Sequence, residues 1–256
     1  YPLDEIDLPE IPQGHLENQH PVHQRMRAMF GAVDFLEEQV RRARACYYGL
    51  ITYFDEKIGR LLQVLEETGQ GDNTLIVHFS DHGEMNGEHG MWRKSSMYEA
   101  SVRVPLQISW PGEIAGGRRV AQAVSLVDMV AMVVELAEAE SVAPLDGDSL
   151  LRLVRGDEAH WKDEAFSEYL AHGVQRPVGM LRKGRYKLNY NLGEASELYD
   201  IEVDPNEFMD LAGSTEYEPM LAAMQARLLA EWDPLAIEEQ VLRSQRERLL
   251  IERAAL

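Results

Sequence analysis

A short apolar run that passes directly into a polar, glycine-rich loop constrains this chain more than any other segment. Residues 74–79 read Thr-Leu-Ile-Val-His-Phe, and residues 80–94 read Ser-Asp-His-Gly-Glu-Met-Asn-Gly-Glu-His-Gly-Met-Trp-Arg-Lys. The first run is typical of a buried strand. Because strands of open α/β sheets present functional groups at their carboxyl ends, we expect a functional loop to follow this strand.

Three side chains of the loop can carry chemistry. Asp81 offers a hard oxygen donor and His82 an imidazole nitrogen, and these donors at adjacent positions predict a metal site. Lys94 places a compact positive charge thirteen residues after Asp81, where it could bind a tetrahedral oxyanion. Three glycines allow the loop to turn tightly and to approach a ligand closely: Gly83, Gly87 and Gly90.

Each of these residues also has a plainer interpretation. Asp81 could cap the turn after the strand, and Lys94 could be an ordinary surface lysine. His89 could act in catalysis or only tether the loop, and Trp92 could form a pocket wall or simply pack. Asp81, His82 and Lys94 occur together with the three glycines, and this combination favours the functional interpretation for Asp81, His82 and Lys94.

Helical and strand-like periodicity alternate through the first part of the chain. Apolar residues recur at three- and four-residue intervals from about residue 36 to 68, which predicts a helix that packs on the sheet, with Cys46 buried. A second strand is predicted at 104–110, and a helix within 120–139 is expected to cover the other face of the sheet. This alternation predicts a parallel or mixed sheet flanked by helices.

The rest of the chain has a different organisation. Three strand-like pieces (165–170, 179–190 and 197–200) and an amphipathic helix at about 217–232 predict a small α+β unit. Residues 1–23 contain four prolines and read as an extended surface arm, on which His15, His20 and His23 are either solvated or a metal cluster. We therefore predict four segments: the arm at 1–23, an α/β core at 24–145, the α+β unit at 146–233 and a charged helical tail at 234–256.

Composition excludes several classes of partner. The formal net charge of −19 argues against nucleic-acid binding, which needs a basic surface. No apolar run approaches the length of a membrane span, so no membrane partner is expected. A single cysteine cannot form an internal disulfide, and the first residues do not resemble a signal peptide. A cytoplasmic location is expected, with a periplasmic location also open.

A series of short motifs follows the first loop in a fixed order: Gly87-Glu-His-Gly, Tyr98-Glu, Val102-Arg-Val-Pro-Leu, Trp110-Pro-Gly, Asp146-Gly-Asp-Ser-Leu-Leu and Glu197-Leu-Tyr-Asp-Ile-Glu-Val-Asp-Pro. Together with residues 80–84, this series closely resembles the type I sulfatases of the alkaline-phosphatase-like superfamily, from about residue 43 to the end. The segment that begins at Glu168 and the run at 185–188 are most similar to the choline-sulfatase and phosphonate-monoester-hydrolase branch.

The resemblance implies a fold and an activity. The fold is α/β, part of an alkaline-phosphatase-like sandwich with a mixed sheet flanked by helices, plus a small C-terminal α+β subdomain. The activity is hydrolysis of a small-molecule sulfate ester, with phosphonate or phosphate esters as the alternative. A homo-oligomer is expected.

The resemblance also implies roles for single residues. Asp81 and His82 correspond to metal ligands, Lys94 and His89 to catalytic groups, and Lys94 with Trp92 to substrate-binding groups. Calcium is the expected metal. Manganese or magnesium stays open, because imidazole is a less usual calcium ligand than oxygen.

Two motifs of such enzymes have no counterpart in this chain. Type I sulfatases carry an Asp-Asp metal motif and a Cys-x-Pro/Ala-Ser-Arg motif, whose cysteine becomes the formylglycine nucleophile. Cys46 is followed by Tyr-Tyr-Gly-Leu and does not match. We therefore expect an N-terminal half that carries the nucleophile, and we expect this segment alone to be inactive. The rival interpretation is a non-catalytic segment with a structural or assembly role.

Overall fold

The computed structural model of the protein describes residues 1–31 and 35–254. Eight α-helices are found among these residues: α1 (His15–Asn18), α2 (Pro21–Met29), α3 (Glu37–Glu67), α4 (Glu99–Val102), α5 (Leu126–Leu136), α6 (Leu151–Val154), α7 (Glu218–Leu229) and α8 (Pro234–Ala254). Six strands accompany them: β1 (Ile76–Phe79), β2 (Leu106–Ser109), β3 (Glu164–Tyr169), β4 (Val178–Lys183), β5 (Tyr186–Asn191) and β6 (Glu197–Asp200). Short 3₁₀ turns lie at Leu3–Glu5, Gly71–Asn73 and Glu88–Gly90.

The strands form two antiparallel sheets. Within the described residues β1 pairs with β2 alone, in the register that sets Ile76 opposite Ser109, and β3 to β6 form a second sheet in chain order. The strands predicted at 74–79 and 104–110 are confirmed. The alternation predicted a parallel or mixed sheet, whereas the described strands pair antiparallel in both sheets, since alternation of strands and helices does not fix which strands become neighbours.

Helix α5 covers one face of the β1–β2 sheet, as predicted. Ser125 and Asp128 form a capping box at its start. Its Met132 is fully buried in a cluster that also receives Val77 from β1 and Ile108 from β2. This packing fixes the sheet from which the loop at residues 80–94 departs.

The predicted C-terminal α+β unit is confirmed as a four-stranded antiparallel sheet covered by α7. The core between them combines leucines of the three strands β4 to β6 with Met224 and Leu228 of α7 and with Trp232. A side chain at Gly179 would lie 2.8 Å from the Trp232 ring, so a larger residue on β4 would displace the indole.

Helix α3 has the predicted length but not the predicted packing. Its apolar side chains are largely exposed, at 56% for Phe54 and 67% for Leu61, and Cys46 is exposed as well. The 31 residues of α3 span about 46 Å, whereas a four-residue strand spans roughly 13 Å. The sheet formed by this chain is therefore too small to cover the helix, and the prediction that Cys46 is buried is wrong.

The predicted arm at 1–23 is helical in part, at Leu3–Glu5 and His15–Asn18 and again from Pro21. Pro21 occupies the first turn of α2, and the His20 ring accepts a hydrogen bond from the Val22 amide, so this segment starts a helix. Val22 and Met26 of this helix are buried in a cluster with residues of the glycine-rich loop. The segment therefore lies on this chain itself.

The tail is helical from Pro234 to Ala254, as predicted, and the last two residues of the predicted tail, 255 and 256, lie outside the described residues. Its exposed apolar side chains are Leu235, Leu242, Leu249, Leu250 and Ile251. None of the described helices combines the length and the apolar character that a membrane crossing requires.

A buried ion cluster joins the C-terminal sheet to the segment that follows the glycine-rich loop. Lys187 on β5 has no exposed surface, and its Nζ lies 3.0 Å from Glu99 Oε1 and 2.7 Å from Glu207 Oε1. Burial raises the pKa of Glu207, while the Lys187 ammonium opposes that rise. The two carboxylates can remain side by side because one ammonium lies between them.

Replacing Lys187 with methionine is expected to destabilise the native protein by about 3–5 kcal/mol, because the buried Glu207 and the partly buried Glu99 lose the ammonium that lies between them. Chemical denaturation measures the change. Lys183→Met is the control, since about half of the Lys183 side chain on β4 is exposed and its partner Glu164 also pairs with Arg227. The control should change stability by about 0–1 kcal/mol. Similar losses in both variants would contradict this account.

Candidate functional site

The site begins where β1 ends. The Ser80 hydroxyl donates to the His82 carbonyl oxygen at 2.8 Å, and Asp81 Oδ1 accepts the His82 amide at 3.0 Å. These bonds fold the chain into a tight turn directly after the strand. The turn presents the side chains of two consecutive residues, Asp81 and His82, on one side of the loop.

Lys94 returns to this turn from the far end of the loop. The Met85 amide donates to the Arg93 carbonyl at 2.8 Å, and the Gly87 amide donates to the Met91 carbonyl at 2.9 Å. These bonds double the loop back on itself in the manner of a hairpin. As a result Lys94 Nζ lies 2.6 Å from His82 Nε2.

The hydrogen bonds of the His82 ring define its tautomer. Nδ1 lies 2.8 Å from the Gly83 carbonyl oxygen, which can only accept, so Nδ1 carries the proton. Nε2 then has a free lone pair and accepts from the Lys94 ammonium. Asp81 Oδ2 lies 3.4 Å from the same nitrogen. The structure thus brings Asp81, His82 and Lys94 together, as the sequence predicted.

This group faces solvent. The Asp81 side chain is 78% exposed, the His82 side chain is 37% exposed, and Lys94 is exposed as well. A carboxylate, a neutral imidazole nitrogen and an ammonium that converge at an open surface can hold a cation and an adjacent anion.

His89 lies in a different environment. Its ring is buried, stacks on Tyr98 with centroids 3.7 Å apart, and shares a hydrogen bond of 2.9 Å with His15. Burial, followed by the neighbouring His15 ring, lowers the pKa of His89 to about 3. None of these contacts involves the Asp81 group. They fit the tether interpretation of His89, and its catalytic role stays a prediction.

Trp92 packs beside the loop rather than in the Asp81 group. It is half-buried, its ring meets the edge of Phe35 at a centroid distance of 5.5 Å, and it lies close to Gly87. These contacts show how the ring packs, and a role in substrate binding stays a prediction.

A second polar cluster was not foreseen in the sequence. Glu197 is almost fully buried, and its oxygens are bound by the His23 ring at 3.2 Å and by the Tyr199 hydroxyl at 2.8 Å. Burial alone would raise the pKa of Glu197, but His23 lowers it to about 2. His23 is therefore neither a solvated loop residue nor, among the described residues, a member of a metal-binding cluster. The local signal in the sequence was a short strand, Glu-Leu-Tyr-Asp, that begins with a glutamate.

This cluster borders a cavity of about 430 Å³ between the N-terminal segment and the C-terminal sheet. Besides Glu197 and Tyr199, its walls include His15, Gln19, Tyr98 and Phe208. The cavity lies on the His89 side of the loop, because His89 stacks on the same Tyr98 ring.

Comparison with known proteins identifies the family. The profile of the "Sulfatase" family matches residues 13–139, and that of "N-sulphoglucosamine sulphohydrolase, C-terminal" matches residues 87–233. The chain is 36% identical over 254 residues to a choline-sulfatase of Rhizobium meliloti, across 96% of this chain and 49% of that protein. This chain belongs to the sulfatase family.

Two further relatives support the assignment. An arylsulfatase of Clostridium perfringens is 30% identical over 231 residues, which cover 88% of this chain and 47% of that protein. The structure of a phosphonate monoester hydrolase from Silicibacter pomeroyi superposes with a TM-score of 0.80 at 27% identity, over 90% of this chain and 51% of that chain. The chain spans about half the length of the relatives that it matches. The predicted α/β fold of the alkaline-phosphatase-like type is confirmed.

The donor set of this sulfatase chain fits part of a metal site. Asp81 Oδ2 and His82 Nε2 lie 3.4 Å apart, which is about the separation of two neighbouring ligands with metal bonds of about 2.4 Å. No group of three or more candidate ligands occurs within residues 1–31 and 35–254. Any ion bound here therefore needs further ligands from elsewhere.

Because His89 is buried, we expect the folded protein to lose stability as the pH falls. In the unfolded chain this ring takes up a proton near pH 6.5, whereas in the folded protein it resists protonation down to about pH 3. Between these values the unfolded state binds more protons, so stability falls as the pH drops below 6.5. The melting temperature of the native protein should decline from pH 6.5 to 5, and less steeply in His89→Phe.

The control for this comparison is His160→Phe, because His160 is exposed and far from the stacked rings in sequence. It should keep the wild-type pH dependence. Parallel curves for the wild type and His89→Phe would show that the proton uptake of His89 does not contribute.

Proposed function

We propose that this chain is the metal-binding and sulfate-binding part of a sulfuric ester hydrolase. One observation carries the proposal: Asp81, His82 and Lys94 meet at the end of β1, with the lysine ammonium 2.6 Å from the imidazole. The family assignment gives this constellation its chemistry, since the chain belongs to the sulfatases.

In this proposal Asp81 and His82 hold a divalent cation. Calcium is the ion we propose, because this hard cation prefers oxygen ligands such as the Asp81 carboxylate. Manganese and magnesium are the alternatives, and the His82 imidazole favours manganese, the transition metal of the three. When bound, the cation neutralises negative charge on the nonbridging oxygens of the ester.

Lys94 binds a nonbridging sulfate oxygen beside the cation. Its ammonium is a strong point-charge donor and already lies next to the proposed metal ligand His82. As the sulfuryl group is transferred, negative charge develops on oxygens within reach of this ammonium, which stabilises the transition state.

The nucleophile and the remaining ligands belong, in this proposal, to an N-terminal half. The exposed apolar surface of α3 supports it, because side chains that would pack on a larger sheet have no cover among the described residues. They are Tyr47, Leu50, Ile51, Tyr53, Phe54, Leu61, Leu62 and Val64. The length of the relatives, about twice that of this chain, supports it as well. The exposed leucines of α8 support a homo-oligomer.

Hydrolysis of a phosphonate ester is the second candidate. It is favoured by the similarity to a phosphonate monoester hydrolase, and its substrate is also a tetrahedral anion. Comparing the turnover of an aryl sulfate with that of the matching aryl phosphonate separates the two. A non-catalytic role predicts that the native protein turns over neither.

Substitutions at the site test the proposed roles in the native protein. Asp81→Ala should lose metal and activity together, since it removes a ligand. Lys94→Ala should keep the metal and lose on the order of 100- to 1000-fold in rate, the usual effect of removing one oxyanion partner. Metal content is measured by elemental analysis, and rate with an aryl sulfate.

Asp72→Ala provides the control, because Asp72 is an exposed acid in the turn before β1. It should leave metal content and rate unchanged. If Asp81→Ala retains the wild-type metal content, the ligand assignment is wrong.

A further inference from the structure

One buried residue contacts both arms of the site. Ser101 on α4 is 2% exposed, and its hydroxyl donates to the Lys94 carbonyl at 2.7 Å. Its own carbonyl accepts the Gly83 amide, also at 2.7 Å. Gly83 is the residue after His82. Ser101 therefore contacts two stretches of backbone at once: the one at Asp81–Gly83, called the metal-ligand arm, and the one at Lys94, called the lysine arm.

The loop and α4 are in close contact at this point. A Cβ atom on Gly83 would lie 2.0 Å from the Ala100 carbonyl oxygen, so only glycine allows the approach. The backbone next to His82 and the backbone of Lys94, twelve residues apart in sequence, are therefore both held against the same turn of helix.

Helix α4 is too short to be rigid by itself, since an isolated turn of helix is not stable in water. It is held from the other side by the C-terminal sheet. The Glu99 amide donates to Glu207 Oε2 at 2.5 Å, and the Glu99 carboxylate pairs with the buried Lys187. These contacts give Ser101 a fixed position from which to hold the loop.

We propose that Ser101 is a positioning residue that sets where the Lys94 ammonium lies relative to His82. The inference rests on the proposed function of Lys94. The Ser101 hydroxyl is the contact that restrains the Lys94 backbone, whereas the bond to Gly83 uses the Ser101 main chain and survives a side-chain change. Removing the hydroxyl therefore loosens the lysine arm and leaves the metal-ligand arm in place.

In the native protein, Ser101→Ala should therefore affect the rate, which depends on Lys94, and spare the metal, which depends on Asp81 and His82. Turnover of an aryl sulfate should fall on the order of 10- to 100-fold, as expected when a catalytic group moves by about 1 Å. Metal content should remain that of the wild type. Amide hydrogen exchange should increase in the peptide that contains Lys94. Ser101→Thr, which keeps the hydroxyl, should restore most of the rate.

A double-mutant cycle distinguishes positioning from a general structural role. If Ser101 acts through Lys94, then Ser101→Ala should change the rate less than about twofold when Lys94 is already alanine. Ser96→Ala is the matched control, because Ser96 is a buried serine just after the loop, and its hydroxyl donates to the Met85 sulfur. It should alter neither the rate nor the exchange near Lys94.

Two results would overturn the proposal: equal rate losses from Ser101→Ala in both backgrounds, or unchanged exchange and rate in the single variant. Failure of the proposed function looks different, because Lys94→Ala alone would then turn over the aryl sulfate at the wild-type rate. That result would remove the role of Lys94 and, with it, the positioning role of Ser101.

Discussion

The Lys187 ammonium lies between the carboxylates of Glu99 and Glu207, and the lysine has no exposed surface. Such a cluster is stable only while all three charges remain together, since a buried carboxylate without its counter-charge is costly. Glu99 begins α4, whereas Lys187 and Glu207 belong to the C-terminal part of the chain. The ion cluster therefore fixes the helix against which the glycine-rich loop folds, and the position of the loop depends on the C-terminal sheet.

Helix α4, which the ion cluster holds in place, positions the residues of the site. Helix α4 contacts Gly83 and Lys94 through Ser101, and the pairing of Met85 with Arg93 closes the loop between them. The N-terminal segment packs on the other side of the loop, where His15 and Tyr98 enclose the His89 ring. The exposed Asp81 group is thus a small open surface on a rigid support, which suits a site that receives a metal ion and an anion.

Much of this could be predicted from the sequence where the signal is local. The strand at β1, the covering helix α5 and the C-terminal sheet follow from periodicity, and the Asp81, His82 and Lys94 group follows from motif spacing. Periodicity identifies the apolar face of α3 but not the surface that covers it, so Cys46 and its neighbours were wrongly expected to be buried. The pairs Lys187–Glu99 and His23–Glu197 join residues 88 and 174 positions apart, and no local pattern indicates such contacts.

We propose that the end of β1 and the returning loop form one half of a metal and sulfate site. The most direct test is a crystal structure of the native protein soaked with Mn²⁺, with the ion located by anomalous scattering. We expect one ion bound by Asp81 Oδ2 and His82 Nε2, with Lys94 Nζ released from the imidazole and free to bind an anion beside the metal. An ion bound elsewhere, or none at all with the Lys94–His82 hydrogen bond intact, would contradict it.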